Sequence, residues 1–246
     1  MSDFLVIGES CKDVFCYGSC VRLCPEAPAP VFNPLDGKEN PGMAKNVQKN
    51  IESLGHECDI ITNDNWENIT KTRYIHKGTN QMFIRIDIGD DMVPRCQVRS
   101  IDLKKYKIII ISDYCKGFLT TEDISYIASN HDCVFLDTKK DLGDWCNEVN
   151  YIKINNYEFD RTKNRITDET RQKMIVTLGQ NGCSYQNDFF PVEKVEIKDV
   201  SGAGDTFLAG LVVKYLESAD IRKAAIFANE CATRVVQKRG VSTCQK

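Results

Sequence analysis

The residues best suited to chemistry form a glycine-rich string near the carboxyl end of the chain. Residues 199–205 read Asp-Val-Ser-Gly-Ala-Gly-Asp, and an apolar stretch with helical spacing follows. Gly202, Ala203 and Gly204 let backbone N–H groups approach an anion, and a helix N-terminus adds unsatisfied donors and partial positive charge. Asp205 would lie in the first helical turn, where its carboxylate can accept a proton from an attacking hydroxyl. The string therefore predicts stabilisation of a phosphoryl group beside a general base.

The same string also fits a plain helix start. In that interpretation Ser201 is the N-cap and the helix dipole favours Asp205. A Walker loop is excluded, because no Gly-Lys-Ser/Thr sequence follows the glycines. Both interpretations predict a helix at about residues 203–217.

Four more residues of interest follow apolar runs that are typical of buried strands, and they are Asp113, Asp137, Asn155 and Gly179. Taken singly, each fits an ordinary turn residue. Ligands of parallel α/β sheets bind beyond the carboxyl ends of the strands, so the four together predict a cleft there.

The elements that must position these residues alternate between strands and helices. Strands are predicted at 4–8, 14–17, 29–32, 58–62, 72–77, 82–87, 107–111, 133–136, 151–154 and 174–178, and helices at 43–54, 120–129, 203–217 and 220–237. A loop carrying Asp13 is expected after the first strand. Alternating strands and helices predict a mostly parallel sheet with helices on both faces.

Length, composition and charge exclude several other classes of protein. The 246 residues are 42% hydrophobic and 27% charged, which excludes a disordered chain, a collagen-like fibre and a coiled coil. A net charge of −3 argues against nucleic acid as a partner. No apolar run approaches 18 residues, so no membrane span is expected, and the run at residues 4–7 is too short for a signal peptide.

The twelve cysteines predict a reducing compartment. Four of them follow a C-x4-C-x3-C-x3-C spacing (Cys11, Cys16, Cys20 and Cys24), but no Cys-x-x-Cys occurs and no histidine stands at zinc-finger spacing. We therefore expect reduced, mostly buried thiols in the cytoplasm. A metal or disulfide cluster near residues 11–24 is the alternative.

Residues 199–205 resemble the Asp-x-Thr/Ser-Gly-Ala-Gly-Asp signature of the ribokinase-like, or PfkB-type, carbohydrate kinases. Other motifs match the family in the right order, namely Asp13, Pro41-Gly42-Met43-Ala44-Lys45-Asn46, Asn155-Asn156-Tyr157-Glu158, Val176-Thr177-Leu178-Gly179 with Gly182, and residues 229–241. The resemblance runs from residue 4 to about residue 243. It implies a three-layer α/β/α fold, one kinase domain over residues 1–246, and a small β lid from about 14–32 and 72–87.

The resemblance also implies ATP and Mg²⁺ as cofactors and a role for individual residues. Asp205 is the expected base, beside the anion-binding Gly202, Ala203 and Gly204. Sugar hydroxyls are expected at Asp13, Gly42 and Asn46. The nucleotide is expected to contact Asn155, Glu158, Thr177, Gly179, Gly182, Ser201 and Asn229, and Glu158 is also expected to orient the Mg²⁺.

A narrower resemblance is to the D-glycero-β-D-manno-heptose 7-phosphate kinases, carried by residues 22–31, 69–73, 80–87 and 112–117. A phosphorylated acceptor needs cations, for which Arg22, Arg73, Arg85 and Lys116 are candidates, with Asp113 as a further substrate contact. Each cation also fits a solvated surface charge. The chain departs from the family at Gly42-Met43, where relatives carry Gly-Gly, and in two shortened stretches at 63–71 and 159–173.

The expected activity is ATP-dependent transfer of a phosphoryl group to a sugar hydroxyl, with O1 of a heptose 7-phosphate as the preferred acceptor. Another sugar or nucleoside kinase of the same fold is one alternative, and a non-catalytic nucleotide- or sugar-binding homologue is the other. The lid would exclude water from the reaction. Its unpaired edges favour a homodimer that forms through the lid.

Overall fold

Two β-sheets and six α-helices are built from the part of the chain that the structure, a computed structural model, describes, which is residues 2–245. The strands are β1 (Phe4–Gly8), β2 (Ser10–Leu23), β3 (Pro30–Met43), β4 (Cys58–Ile61), β5 (Thr70–His76), β6 (Met82–Ile88), β7 (Ile108–Asp113), β8 (Val134–Thr138), β9 (Tyr151–Asn155), β10 (Met174–Thr177), β11 (Cys183–Tyr185) and β12 (Asp188–Phe190). The helices are α1 (Ala44–Ser53), α2 (Thr121–Ser129), α3 (Asn156–Thr162), α4 (Asp168–Gln172), α5 (Ala203–Ser218) and α6 (Ile221–Val236).

The larger sheet has the strand order β12-β11-β10-β9-β8-β7-β1-β4. All neighbours from β10 to β4 run parallel, and only β11 and β12 are antiparallel. This confirms the predicted fold class and places the carboxyl ends of β7, β8, β9 and β10 along one edge.

Continuous apolar runs form these strands because both faces of the sheet are covered. In β1, Phe4 and Val6 pack with α1, α5 and α6 on one side, whereas Leu5 and Ile7 pack with α2 on the other. Each fully buried side chain of this size contributes roughly 1.5–3 kcal/mol to folding. The predicted helices at 43–54, 120–129, 203–217 and 220–237 are confirmed within one or two residues at each end.

The second sheet has the order β3-β2-β5-β6, and we call it the lid sheet. It is more extensive than the sequence predicts. Residues 10–23 form one continuous strand, so the expected loop around Asp13 is wrong, and β3 continues to Met43 instead of ending at residue 32. Apolar and polar residues do not alternate regularly in β2, and β3 is largely exposed, so both strands lack the pattern on which prediction depends.

Strand register determines which side chains share a face of the lid sheet. Asp13 lies opposite Asn40 on β3, and Phe15 lies opposite Lys38. Arg73 on β5 lies opposite Arg85 on β6. Directly paired residues point to the same side of a sheet.

Short elements escape the sequence analysis. Helices α3 and α4 have seven and five residues, and β11 and β12 have three each, which is too short for a periodic signal. All twelve cysteines are free thiols, and no cluster of three or more potential metal ligands occurs in residues 2–245. None of the helices in this part of the chain is long and apolar enough to span a bilayer.

Candidate active site

Asp205 is a buried carboxylate in the first turn of α5. Its Oδ2 accepts a hydrogen bond from Asn46 Nδ2 at 2.8 Å, and its Oδ1 accepts one from the Tyr114 hydroxyl at 2.6 Å. Burial raises the pKa of Asp205 from 3.8 to about 6, although the bonds from Asn46 and Tyr114 oppose that rise. At neutral pH the group is therefore mainly a carboxylate, and its pKa is close to the pH at which it would act as a base.

The glycine-rich turn ends at a backbone geometry that only glycine adopts easily. Gly202 has φ +77° and precedes the helix without any side-chain cap, so the alternative with Ser201 as N-cap is wrong. The N–H of Ala203 donates to Val200 O at 3.2 Å, and the first i→i−4 bond runs from Thr206 to Gly202. The N–H groups of Gly204 and Asp205 precede that bond, so they have no acceptor inside the helix and remain for an anion.

A buried lysine, which the sequence analysis did not single out, lies beneath this turn. Lys153 Nζ bonds to Asp137 Oδ2 at 2.6 Å, and a Cβ at Gly204 would come within 3.1 Å of the same Nζ. The other oxygen of Asp137 has no hydrogen-bond partner in residues 2–245, although Lys139 Nζ lies 3.5 Å away. Lys153 lies in the middle of the apolar strand β9. Lysine is almost never buried unless it is paired, so this position could have indicated a functional cation from the sequence alone.

A single cavity of about 720 Å³ extends from this turn along the carboxyl ends of the strands, and we call it the main cavity. Its lining is partly polar and partly apolar, and the apolar part includes Val192, Val195, Ile197, Val200, Ala232 and Val236. The structure brings these predicted residues to the lining: Asn155, Thr177, Gly179, Gly182, Gly202, Ala203, Gly204, Asp205 and Asn229. Ser201 and Glu158 are not among the lining residues that the structure describes.

Asn155 and Glu158 form a capping box at the start of α3. Asn155 Oδ1 accepts from the Glu158 N–H at 2.9 Å, and Glu158 Oε2 accepts from the Asn155 N–H at 2.8 Å. The remaining oxygen of Glu158 binds Lys139 Nζ at 2.7 Å. Burial alone would lower the pKa of Lys139, but Asp137 and Glu158 outweigh it and raise that pKa. Glu158 thus holds the Lys139 ammonium beside the main cavity and does not itself line that cavity.

The acceptor end of the site lies under the lid sheet. Asp13 Oδ1 binds Arg73 Nη1 at 2.5 Å, and a Cβ at Gly42 would collide with Asp13 Oδ2 at 2.4 Å. Asn46 from α1 completes this end through its bond to Asp205. Of the predicted sugar-binding residues, Asn46 therefore contacts Asp205 directly, and Gly42 adjoins Asp13, which already has a cationic partner.

The other predicted substrate residues are engaged elsewhere or lie apart. Asp113 is buried and bonds to Thr138, to Lys140 Nζ at 2.6 Å and to the Cys115 N–H at 3.2 Å. Arg85 pairs with Asp87 at 2.7 Å, and Lys116 pairs with Asp90 at 2.6 Å. Arg22 is exposed near the far end of β2.

Tyr114 is held in place by a buried acid that the sequence analysis also missed. Glu9 accepts hydrogen bonds from the N–H groups of Tyr114 and Lys116, at 2.9 and 2.7 Å. Burial, and the nearby Asp113, raise the pKa of Glu9. These two bonds fix the loop that presents the Tyr114 hydroxyl to Asp205.

A family model described as the pfkB family carbohydrate kinases matches residues 43–246. Two proteins named bifunctional protein HldE are similar over nearly the whole chain. That of Vibrio parahaemolyticus is 28% identical over 97% of this chain and 61% of its own length, and that of Helicobacter acinonychis is 29% identical over 98% and 64%. The chain thus spans about three fifths of the length of these relatives. The first alignment covers 292 positions against 246 residues here, so at least 46 positions lack a counterpart, in keeping with the shortened stretches.

Solved structures share the fold. The ribokinase of Thermotoga maritima superimposes with a TM-score of 0.74 at 18% identity, over 98% of this chain and 94% of that one. Phosphofructokinase-2 of Escherichia coli, in complex with potassium, gives 0.74 at 14% identity, over 99% and 95%. Despite its shortened stretches, the chain therefore shares the ribokinase-like fold.

Proposed function

This chain belongs to the pfkB family of carbohydrate kinases, and from that premise we propose that it transfers the γ-phosphoryl group of ATP to a sugar hydroxyl. The observation that carries the proposal is the position of Asp205. A buried carboxylate with a pKa of about 6 stands directly beside unpaired backbone N–H groups at the start of a helix, at the end of a cavity large enough for a nucleotide. A binding protein has no need of a base at that point.

In the proposed reaction the acceptor hydroxyl replaces one of the hydrogen bonds that Asp205 now receives. Its oxygen forms a bond to the γ-phosphorus while the bond between that phosphorus and the β–γ bridging oxygen breaks. Asp205 takes the hydroxyl proton, and ADP leaves with the bridging oxygen. The first-turn N–H groups and the Lys153 ammonium stabilise negative charge on the transferring group.

The apolar and the polar lining residues of the main cavity suit the two parts of ATP. The adenine would lie against Ala232, Val236 and the segment from Val192 to Val200. Thr177, Gly179 and Asn229 border the same space. The phosphates would then extend toward Gly204.

Mg²⁺ fits the phosphate end at Asp137, which lines the cavity and whose buried Oδ1 has no hydrogen-bond partner in the described chain, with Lys139 Nζ 3.5 Å away. Mg²⁺ keeps several waters and is usually held by one or two carboxylates together with substrate phosphates. When bound, it neutralises charge between the β- and γ-phosphates. Glu158 supports this end through Lys139.

The proposed acceptor is O1 of a D-glycero-β-D-manno-heptose 7-phosphate. Support comes from the four matching stretches of sequence, from the bond between Asn46 and Asp205, and from Gly42, which adjoins Asp13. A different sugar or nucleoside would use the same phosphate chemistry. A panel of sugars, sugar phosphates and nucleosides, assayed for ADP release, distinguishes them.

The decisive test is Asp205→Asn. The variant is nearly isosteric, so ATP binding should hold or tighten, while kcat should fall by roughly 10²–10⁴ because the base is lost. The pKa of Asp205 in the folded protein lies above its ordinary value, so its ionisation costs stability as the pH rises from about 4 to 6. At pH 7 the variant should therefore melt at the same temperature or slightly higher. A folded variant that retains near-normal kcat would overturn the assignment.

We also propose a cytoplasmic homodimer. The free cysteines favour a reducing compartment. Strand β6 is an edge of the lid sheet, and Met82, Ile84, Ile86 and Ile88 are all at least 40% exposed on one of its faces. Two lid sheets packed through this face would cover those side chains. Light scattering that shows only monomer at micromolar concentration would contradict the dimer.

A further inference from the structure

A second, smaller cavity lies beside the acceptor end of the site, and we call it the lysine cavity. It has a volume of about 280 Å³ and no carboxylate among its lining residues, which are Lys38, Asn40, Pro41, Asn46, Lys49, Lys238, Val241, Ser242, Thr243 and Gln245. The three lysines come from three separate elements, namely β3, α1 and the segment after α6. Within residues 2–245 none of the three pairs with an acidic side chain, and Lys38 Nζ has only a long bond of 3.4 Å to Val241 O. Three uncompensated positive charges around one concavity form a site for an anion.

A buried, unsatisfied donor points to the same conclusion. Asn40 is only 6% exposed, and within residues 2–245 its Nδ2 has no hydrogen-bond partner. Buried side-chain amides are almost always paired, so an unpaired one in a cavity wall indicates a missing acceptor. An anion within the lysine cavity would supply that acceptor.

The lysine cavity is next to the reacting centre and not at a remote surface. Asn46 lines it and also donates to Asp205 Oδ2. Asn40 lies directly opposite Asp13, on the same face of the lid sheet. One acceptor molecule can therefore reach Asp205 with a hydroxyl and the lysines with a charged group at its other end.

Three of the four cations that the sequence suggests for this purpose are already neutralised, and the fourth, Arg22, is exposed near the far end of β2. Arg73 pairs with Asp13, Arg85 with Asp87 and Lys116 with Asp90. Lys71, which is buried beside them, pairs with Asp87 and Asp90. A phosphate that approached these groups would compete with carboxylates. The three lysines of the lysine cavity have no carboxylate partner within residues 2–245.

We propose that the lysine cavity is the subsite for the phosphate monoester of a phosphorylated sugar acceptor, bound by Lys38, Lys49, Lys238 and the Asn40 amide. This inference rests on the proposed function, because it assumes an acceptor at Asp205. It makes these four residues the determinants of preference for phosphorylated over unphosphorylated sugars.

The experiment measures binding by calorimetry, separately from turnover. The ligands are the heptose 7-phosphate, the same heptose without phosphate, and inorganic phosphate. The test variant carries Lys38→Gln, Lys49→Gln and Lys238→Gln. Its control carries the same charge change at exposed lysines outside both cavities, as Lys104→Gln, Lys163→Gln and Lys223→Gln. All six positions are exposed, so both proteins should fold.

We expect the test variant to bind the heptose 7-phosphate about tenfold or more weakly, because several charged contacts to the phosphate are lost together. Binding of the unphosphorylated heptose should change by less than about twofold in the same variant, since none of its hydroxyls needs a cation. The control should match the unmodified protein for all ligands. Inorganic phosphate should compete with the heptose 7-phosphate. Asn40→Asp, which puts a negative charge in the lysine cavity, should weaken binding of the heptose 7-phosphate in the same way.

Equal affinity of test and control variants for the heptose 7-phosphate would overturn the subsite, as would a loss in Arg85→Gln that the triple lysine variant does not show. If inorganic phosphate binds through the three lysines but does not compete with the heptose 7-phosphate, the link between the lysine cavity and the acceptor is overturned. Failure of the proposed function looks different. In that case lysine-dependent binding of the sugar phosphate persists, but no ADP is released with any acceptor.

Discussion

The two ends of the candidate site are built in different ways. At the nucleotide end, the ligating groups come from strand ends of a sheet that is covered on both faces, and nearly all the predicted residues line one cavity. At the acceptor end, the groups come from an exposed sheet, and several predicted residues pair with one another or with neighbouring acids. In the proposed reaction, phosphoryl transfer thus depends mainly on the core, while the acceptor is recognised by groups that the lid sheet contributes.

After Asp205→Asn, the largest loss of kcat should come from Gly202→Ala, which tests whether the core end is as rigid as the comparison implies. A Cβ there would lie 2.7 Å from Asn46 Nδ2, at φ +77°. Because it disturbs both the turn and the bond from Asn46 to Asp205, kcat should fall by roughly a hundredfold, as is typical when catalytic groups are misplaced. Gly117→Ala is the control, since Gly117 has φ +97° but nothing within 4 Å of a Cβ. If both variants lose the same activity, backbone strain and not the contact with Asn46 is responsible.

Asp13→Ala separates the two ends of the site. Loss of a hydrogen bond to the acceptor should cost about 1–3 kcal/mol, which is roughly a 5- to 150-fold rise in the acceptor KM. The KM for ATP should not change. The control is Asp36→Ala, which removes an exposed partner of Lys77 in the same sheet. A parallel loss of ATP affinity would show that Asp13 acts mainly through Arg73 as a structural residue.

Tyr114→Phe probes the link between the two ends. The Tyr114 hydroxyl lowers the pKa of Asp205, so its removal should move the acidic limb of kcat/KM from about pH 6 toward higher pH. The expected displacement is about one pH unit, since a hydrogen bond to a charged acceptor contributes about 1.5 kcal/mol. Activity falls on the acid side because the protonated carboxyl cannot accept the acceptor's proton. An unchanged limb with normal turnover would mean that Tyr114 does not contact Asp205 in the working enzyme.

Glu158→Gln should have the smallest effect. The amide oxygen can still accept from the Asn155 N–H, so the start of α3 should survive, but the charge that holds Lys139 is lost. The concentration of Mg²⁺ needed for half-maximal activity should rise severalfold. Glu169→Gln, on the exposed side of α4, is the control. Unchanged dependence on Mg²⁺ would remove Glu158 from any part in the phosphate end.

What the sequence could and could not predict follows the same division. Apolar runs and the Gly-Ala-Gly turn made the parallel strands, α5 and the position of Asp205 predictable, because burial on both faces imposes a clear pattern. The continuous strand through Asp13 was missed because its side chains alternate little in polarity. Lys153, Glu9 and the lysine cavity were missed for another reason. Their roles depend on which neighbours the fold brings close, and residues such as Lys38 and Lys238 are two hundred positions apart.

The length of β2 has a mechanical consequence. Its fourteen residues span about 45 Å at roughly 3.3 Å per residue, and the strand leaves the central sheet immediately after β1. A rotation of about 10° at its base would carry the far end through about 8 Å but would move Asp13, three residues from the base, by only about 2 Å. The far end of β2 therefore lies well away from Asp13 and the reacting groups. A displacement of the far end of β2 would therefore reach Asp13 reduced about fourfold.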